Sequence, residues 1–191
     1  MAEDFNMFSM TPPHDMLKKS HESVNASVGG AATPQYMIKC KDFFMSEVDG
    51  MDGDSAPCLW IELGAARMVT WDSSGEQSGD GKIITKDPVV CMKAGSWNPV
   101  IQQFMYEGKT VTSIAILRLI SIHGTKVVIQ EITYETDLIK TYQQHGDTIT
   151  FSFCYVVGTD VIITYDSEGN KLGQSAVTFD SNTLKVTAKS S

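Results

Sequence analysis

Asp147 to Asp180, DTITFSFCYVVGTDVIITYDSEGNKLGQSAVTFD, is the stretch whose reading decides the fold class. From Thr148 to Tyr155, Ile149, Phe151, Phe153 and Tyr155 alternate with Thr148, Thr150, Ser152 and Cys154. A period of two puts the apolar side chains on one face of a strand, so the spacing predicts a half-buried strand with one wet face. Val161 to Tyr165 keeps the β-branched and aromatic bias, and Asp166-Ser167-Glu168-Gly169-Asn170 supplies residues suited to a reversal. Nothing in the stretch is catalytic by its own chemistry.

Working outward, Val111 to Ile122 and Lys126 to Tyr134 read as a hairpin turning at His123-Gly124-Thr125, and Leu138 to Tyr142 as a further short strand or crossing segment. Before them lies one clear helix, about Pro99 to Glu107, with Asn98 as N-cap, Pro99 at the first helical position and Gly108 as the stop. Val100, Ile101, Phe104 and Met105 form its apolar stripe. Such a short helix is unstable alone, so its stripe should lie on a sheet. Lys82 to Met92 reads as a strand broken at Asp87-Pro88. Tyr36 to Cys40 and Cys58 to Leu63 alternate as two earlier strands, and Val177 to Phe179 and Leu184 to Val186 follow as late ones. The pattern predicts a mainly β domain: an antiparallel two-sheet β-barrel with one short α-helix packed at its side.

Residues 1 to 34 are rich in Ser, Met, Pro, Gly and Ala and have no sustained periodicity, which predicts a mobile N-terminal arm before a barrel domain over 35 to 191. The formal net charge of −8, with no clustered Lys or Arg, argues against nucleic acid and against anionic membranes. No apolar run is long enough to predict a membrane-spanning helix. The N-terminal residues lack the basic and apolar regions of a secretory signal peptide. Cys40, Cys58, Cys91 and Cys154 match neither zinc-ligand nor redox spacing, and Cys154 within its strand reads as a buried free thiol.

Gly75 to Ile83, GEQSGDGKI, holds a Gly-Lys pair, yet Glu76 stands where a phosphate loop has its first glycine and Ile83 where a magnesium-binding hydroxyl is needed. The acidic groups Asp49, Asp52, Asp54 and Asp166, Glu168, Asn170 lack the ligand order of a calcium loop and read as solvated turns. His14, His21, His123 and His145 are scattered, and no nucleophile, base and acid share a recognisable spacing. No catalytic residue, metal or cofactor is expected, and the chain reads as a non-enzyme.

The order of elements carries a resemblance. Thr85-Lys86-Asp87-Pro88-Val89-Val90, the helix from Val100 into Tyr106-Glu107-Gly108-Lys109, the strands Thr112 to Gly124 and Val128 to Ile139, and Thr148 to Tyr165 resemble the Hcp family over about residues 36 to 180. These haemolysin-coregulated proteins form the inner tube of bacterial type VI secretion systems. The resemblance implies a structural subunit that makes hexameric rings, stacked into a hollow tube. Its partners would be further copies of itself, a contractile sheath, spike and baseplate proteins, and effector cargo in the lumen. It implies assembly in the bacterial cytoplasm, then secretion or injection into a target cell. A phage-type tail-tube protein, or a secreted β-sandwich binding module or effector, are the alternatives. The chain departs from the family in its longer arm and at Val157-Gly158-Thr159-Asp160, where a bulge or hairpin is expected to interrupt the late strand.

Two polar loops, Glu47 to Ala56 and Asp72 to Gly81, have no apolar anchor of their own, and a neighbouring copy is what would order them. Asp49, Asp52, Asp54, Trp71, Glu76 and Asp80 are therefore the candidate assembly-interface residues.

Overall fold

The computed structural model describes residues 36–44, 54–67, 70–71, 77–78, 83–183 and 185–190. Alternating, β-branched and aromatic runs become strands, and turn residues separate them. In chain order the elements are β1 (Tyr36–Lys39), β2 (Ser55–Glu62), β3 (Ala65–Arg67), β4 (Thr70–Trp71), β5 (Gln77–Ser78), β6 (Ile83–Thr85), β7 (Val89–Lys93) and α1 (Asn98–Glu107). They continue as β8 (Thr110–Ile122), β9 (Thr125–His145), β10 (Thr148–Cys154), β11 (Val157–Tyr165), β12 (Lys171–Asp180) and β13 (Lys185–Ser190).

Nine strands form one sheet in the order β10-β7-β2-β1-β8-β9-β11-β12-β13, and β10 also pairs with β9. That last pairing closes six strands, β10 round to β9, into a ring without a free edge, which is a barrel. The remaining three, β11, β12 and β13, continue from β9 as an open wing. Closure is possible because β9 is long: its Leu138–His145 part pairs with β10, while Gln130–Glu135 pairs with β11 and most of its length with β8. The expected two-sheet barrel is therefore one continuous sheet that closes on itself and overshoots. β3 pairs with β6 and β4 with β5, as two two-stranded ladders apart from the nine-stranded sheet.

The core fills the ring. Ile38, Ala56, Cys58, Val90, Met92, Ile114, Ile116, Ile149, Phe151 and Phe153 are buried in one cluster with Phe43, Phe44 and the helix residue Ile101. Edge-to-face aromatic contacts lock it, Phe43 to Phe104 at 5.4 Å and Tyr134 to Phe153 at 5.3 Å between ring centres. Phe104 thus ties α1 to the cluster, as a helix too short to stand alone requires.

Several sequence expectations change. α1 begins at Asn98, whose Oδ1 accepts the Gly95 amide at 3.0 Å, so it fixes the preceding turn and makes no N-cap bond to the helix. Gly108 does end the helix, at φ +61°, where a Cβ would be strained. Leu138 to Tyr142 is the far part of β9. Thr148, Thr150 and Ser152 are buried, because Thr141 Oγ1 meets Ser152 Oγ and Thr150 lies across the ladder from the fully buried Cys91. The wet face predicted for β10 is thus dry. Cys154 is half-exposed where a buried thiol was expected. Val157-Gly158-Thr159-Asp160 neither bulges nor turns: it begins β11, after the chain has crossed from the barrel to the wing at Tyr155-Val156. Gly158 fits closely there, since a Cβ would meet the Tyr155 ring at 3.0 Å and the ring would have to give by a few tenths of an ångström. The arm predicted over 1 to 34 lies outside the described residues.

Candidate assembly surface

Of the candidate residues, Asp49, Asp52, Glu76 and Asp80 lie outside the described residues. Asp54 stands at the start of β2, where its carbonyl accepts the Cys40 amide at 2.8 Å and its Oδ1 lies 3.6 Å from the Lys39 Nζ. Those contacts tie Asp54 to Lys39 and Cys40 of its own chain. Trp71 ends β4 and is registered against Gln77 of β5, in a two-stranded ladder apart from the main sheet. The structure does not bring Asp54 and Trp71 onto one element.

The surface that the chain leaves unfinished is the wing. Opposed residues in an antiparallel ladder share a face, so the registers sort its side chains. On one face lie Ile162 with Ser175, Asp160 with Val177 and Ala188, and Gly158 with Phe179 and Val186. On the other lie Val161 with Ala176 and Lys189, and Thr159 with Thr178 and Thr187, the first two joined at 3.1 Å through their hydroxyls. One face is thus an aliphatic stripe and the other a threonine ladder. The stripe is open: Ile162, Val177 and Val186 are 51%, 47% and 56% exposed. It belongs to the face that is buried inside the barrel, because Asp160 is registered against Ile132, which packs on the core.

At the end of the wing, all six residues of β13 are exposed, and its outer edge has no strand partner among the described residues. An edge strand with both faces in water gains little from its own chain and offers a row of unpaired amides and carbonyls to another. The turns that hold the wing are well made. Asp166 accepts the amides of Glu168 at 2.9 Å and Asn170 at 2.8 Å, and Asp180 accepts those of Asn182 at 2.8 Å and Thr183 at 3.2 Å. Both carboxyls are held below the usual carboxylate range, Asp166 first by the Asn170 side chain and Asp180 first by the Thr183 amide. Rigid turns preorganise the strands, so a partner meeting the wing orders little.

Sequence reasoning placed strands near Val177 and Val186 but missed the stripe. The signal is the period-two spacing of Val177 and Phe179, and of Val186 and Ala188, which only the register aligns across strands. Among the described residues no three His, Cys, Asp or Glu side chains are grouped to hold a metal.

No family model matches the chain, and no curated protein does. Solved structures do. A type six secretion system protein superposes with a TM-score of 0.71 at 17% identity, covering 81% of this chain and 100% of that one. Hcp1 from Salmonella typhimurium gives 0.61 at 10%, covering 80% and 97%. A mutant form of Hcp1 from the E. coli EAEC 042 pathovar gives 0.53 at 15%, covering 83% and 98%. Likeness at these identities is likeness of fold, and it spans almost the whole of each of those chains.

Proposed function

We propose, from the premise that this chain has the fold of the Hcp proteins, that it is a structural subunit of the type VI secretion inner tube. Copies join head to tail into hexameric rings, and the rings stack into a hollow tube that a contractile sheath drives outward from a baseplate behind its spike. The lumen of such an assembly carries effector cargo, and the tube subunit leaves the cell with it. No catalytic step belongs to this role.

The observation that carries the reading is the wing, with its exposed aliphatic stripe running to an open strand edge. A closed barrel has nothing left to pair, whereas a wing whose edge and stripe face water is half of a contact. Head-to-tail contacts of one kind close into a ring when the rotation between copies divides a full turn. The acidic surface, with a net charge of −8, keeps such rings apart until specific faces meet.

Light scattering and negative-stain imaging of the purified chain test this. Rings are expected, together with stacks at higher concentration. Val186→Asp, which puts a charge on the stripe at an exposed position, should leave the barrel folded and give monomers. Monodisperse monomers of the parent chain at every concentration would overturn the proposal.

A further inference from the structure

The sheet forks at Asp137. β9 pairs with β11 as far as Glu135, opposite Val157, and with β10 from Leu138, opposite Cys154, so residues 136 and 137 have no strand partner on that side among the described residues. The crossing segment Tyr155-Val156 spans the gap, and the Val156 amide donates across it to the Glu135 carbonyl at 3.1 Å. The wing is anchored at the same place, since the Ser181 amide and hydroxyl donate to the Val156 carbonyl at 2.8 and 2.9 Å.

The alternation of the strands also slips here. Core positions on β9 are Ile132 and Tyr134 before the fork and Ile139 after it, and those on β8 are Ile116 and Ile114, then Val111. Odd separations, Tyr134 to Ile139 and Ile114 to Val111, replace the even ones that a strand requires to keep one face inward, so both strands change face together.

Into this irregular stretch the fold puts a carboxyl. Asp137 is fully buried opposite Val111, and neither of its oxygens has a well-formed hydrogen bond among the described residues, although the Ile114 amide acts on it. On its own strand Glu135 is a like charge, and burial keeps the Tyr134 hydroxyl neutral. The turn after β1 brings the Cys40 thiol, also held neutral by burial, and Asp42, whose Oδ2 accepts the Thr112 amide at 3.0 Å. β8 has no titratable side chain between Thr110 and Leu117. Across the gap stand Tyr155 and Cys154, whose thiol donates to the Leu138 carbonyl at 3.7 Å. Lys109 and Lys140, the cations nearest in register, are paired with Glu107 and Asp87. Ionising a buried carboxyl without a partner is costly, and burial moves this one up to about 7. Opening a short irregular stretch to water relieves such a charge at less cost than unfolding the barrel.

We propose that Asp137 is a proton-held latch between barrel and wing: protonated, it leaves the fork closed, and ionised, it opens Glu135–Leu138 from Tyr155–Val157 and frees the base of the wing while the barrel stays folded. The charged form gains most from water, so opening grows as pH rises. The latch belongs to the single chain and holds whether or not copies assemble.

Hydrogen exchange of the full chain, followed amide by amide in the parent and in Asp137→Asn at about pH 5 and about pH 8, tests this. The parent-to-variant ratio of rates at the Val156 and Ser181 amides should rise at least roughly tenfold between the two conditions. Low urea should leave those rates unchanged, as a local opening that exposes little surface requires. Two results overturn the latch. One is a ratio that stays flat. The other is a rise that urea accelerates in step with the Val90 and Met92 amides of the barrel, because Asp137 then meets water only when the whole barrel unfolds. If Asp137→Asn does not fold, the parent alone carries the test: after correction for base catalysis, its Val156 and Ser181 amides must lose protection over that range by the same factor, again without urea dependence.

Discussion

Replacing Asp137 by Asn should raise the stability of the barrel in alkaline solution and leave it nearly unchanged in acid. Asp137 is fully buried on β9, opposite the equally buried Val111, and neither carboxylate oxygen has a well-formed hydrogen bond among the described residues. Nearby, the amide of Thr112 donates instead to Asp42, at 3.0 Å. Burial pushes the Asp137 carboxyl up from 3.8 to about 7, with the Ile114 backbone amide opposing the rise and the Glu135 charge adding to it. Cys40 and Tyr134 also feel its charge. The sign follows from proton linkage. A carboxyl whose pKa is higher in the native than in the unfolded state binds its proton more tightly when folded. Its contribution is therefore complete below 3.8 and is lost as pH rises from there through about 7. A shift of about three pH units corresponds to about 4 kcal/mol, an upper figure because the unfolded chain and water penetration soften it. Urea unfolding of parent and Asp137→Asn, compared at about pH 5, 6, 7 and 8, isolates this one group, since other carboxyls titrate alike in both. The stability difference should grow in favour of Asn by about 2 to 3 kcal/mol across that range. A difference that stays flat, or that grows in favour of Asp, refutes the reasoning.

Other consequences can be measured in the same way. Phe153 is fully buried against the Tyr134 ring, so Phe153→Ala should cost about 3 to 5 kcal/mol in chemical denaturation. Gly108 ends α1 at φ +61° with no neighbouring atom to meet a Cβ, so Gly108→Ala should cost about 1 kcal/mol from backbone strain alone, with Gly108→Asn costing less. Burial raises the thiols of Cys40, to about 12, and of Cys58 and Cys91, whereas Cys154 is half-exposed. A thiol reagent should therefore modify Cys154 first in the native protein and reach the other three only on unfolding.

What the sequence disclosed followed from locality. α1 was legible because Pro99, the stripe of Ile101 and Phe104, and Gly108 act within one helix length. The apolar face of β10 was legible because Ile149, Phe151 and Phe153 alternate on one strand. Its polar face was misread for a physical reason: Thr150 and Ser152 become dry through Cys91 and Thr141, which are distant in the chain. β9 was divided because Glu135-Thr136-Asp137 is polar in a run that otherwise changes slowly, and only pairing with β8, β10 and β11 holds its 21 residues in one strand. The assembly surface was least legible. Ile162, Val177 and Val186 are far apart in sequence and share a face only through two registers, while the acidic loop residues stood out locally for their charge.

β9 is the one strand common to the closed ring and the wing, and this gives the subunit a mechanical character. Load applied to the wing reaches the barrel across the ladder from Val157–Ile162 to Glu135–Gln130. Force along the strands stresses those hydrogen bonds together, in shear, whereas force across them opens the ladder one bond at a time, like a zip. An object pushed lengthwise survives best when its seams lie along the thrust. In the proposed tube, the orientation of β9 relative to the direction of travel would therefore set how hard the assembly can be driven before its subunits tear at the wing.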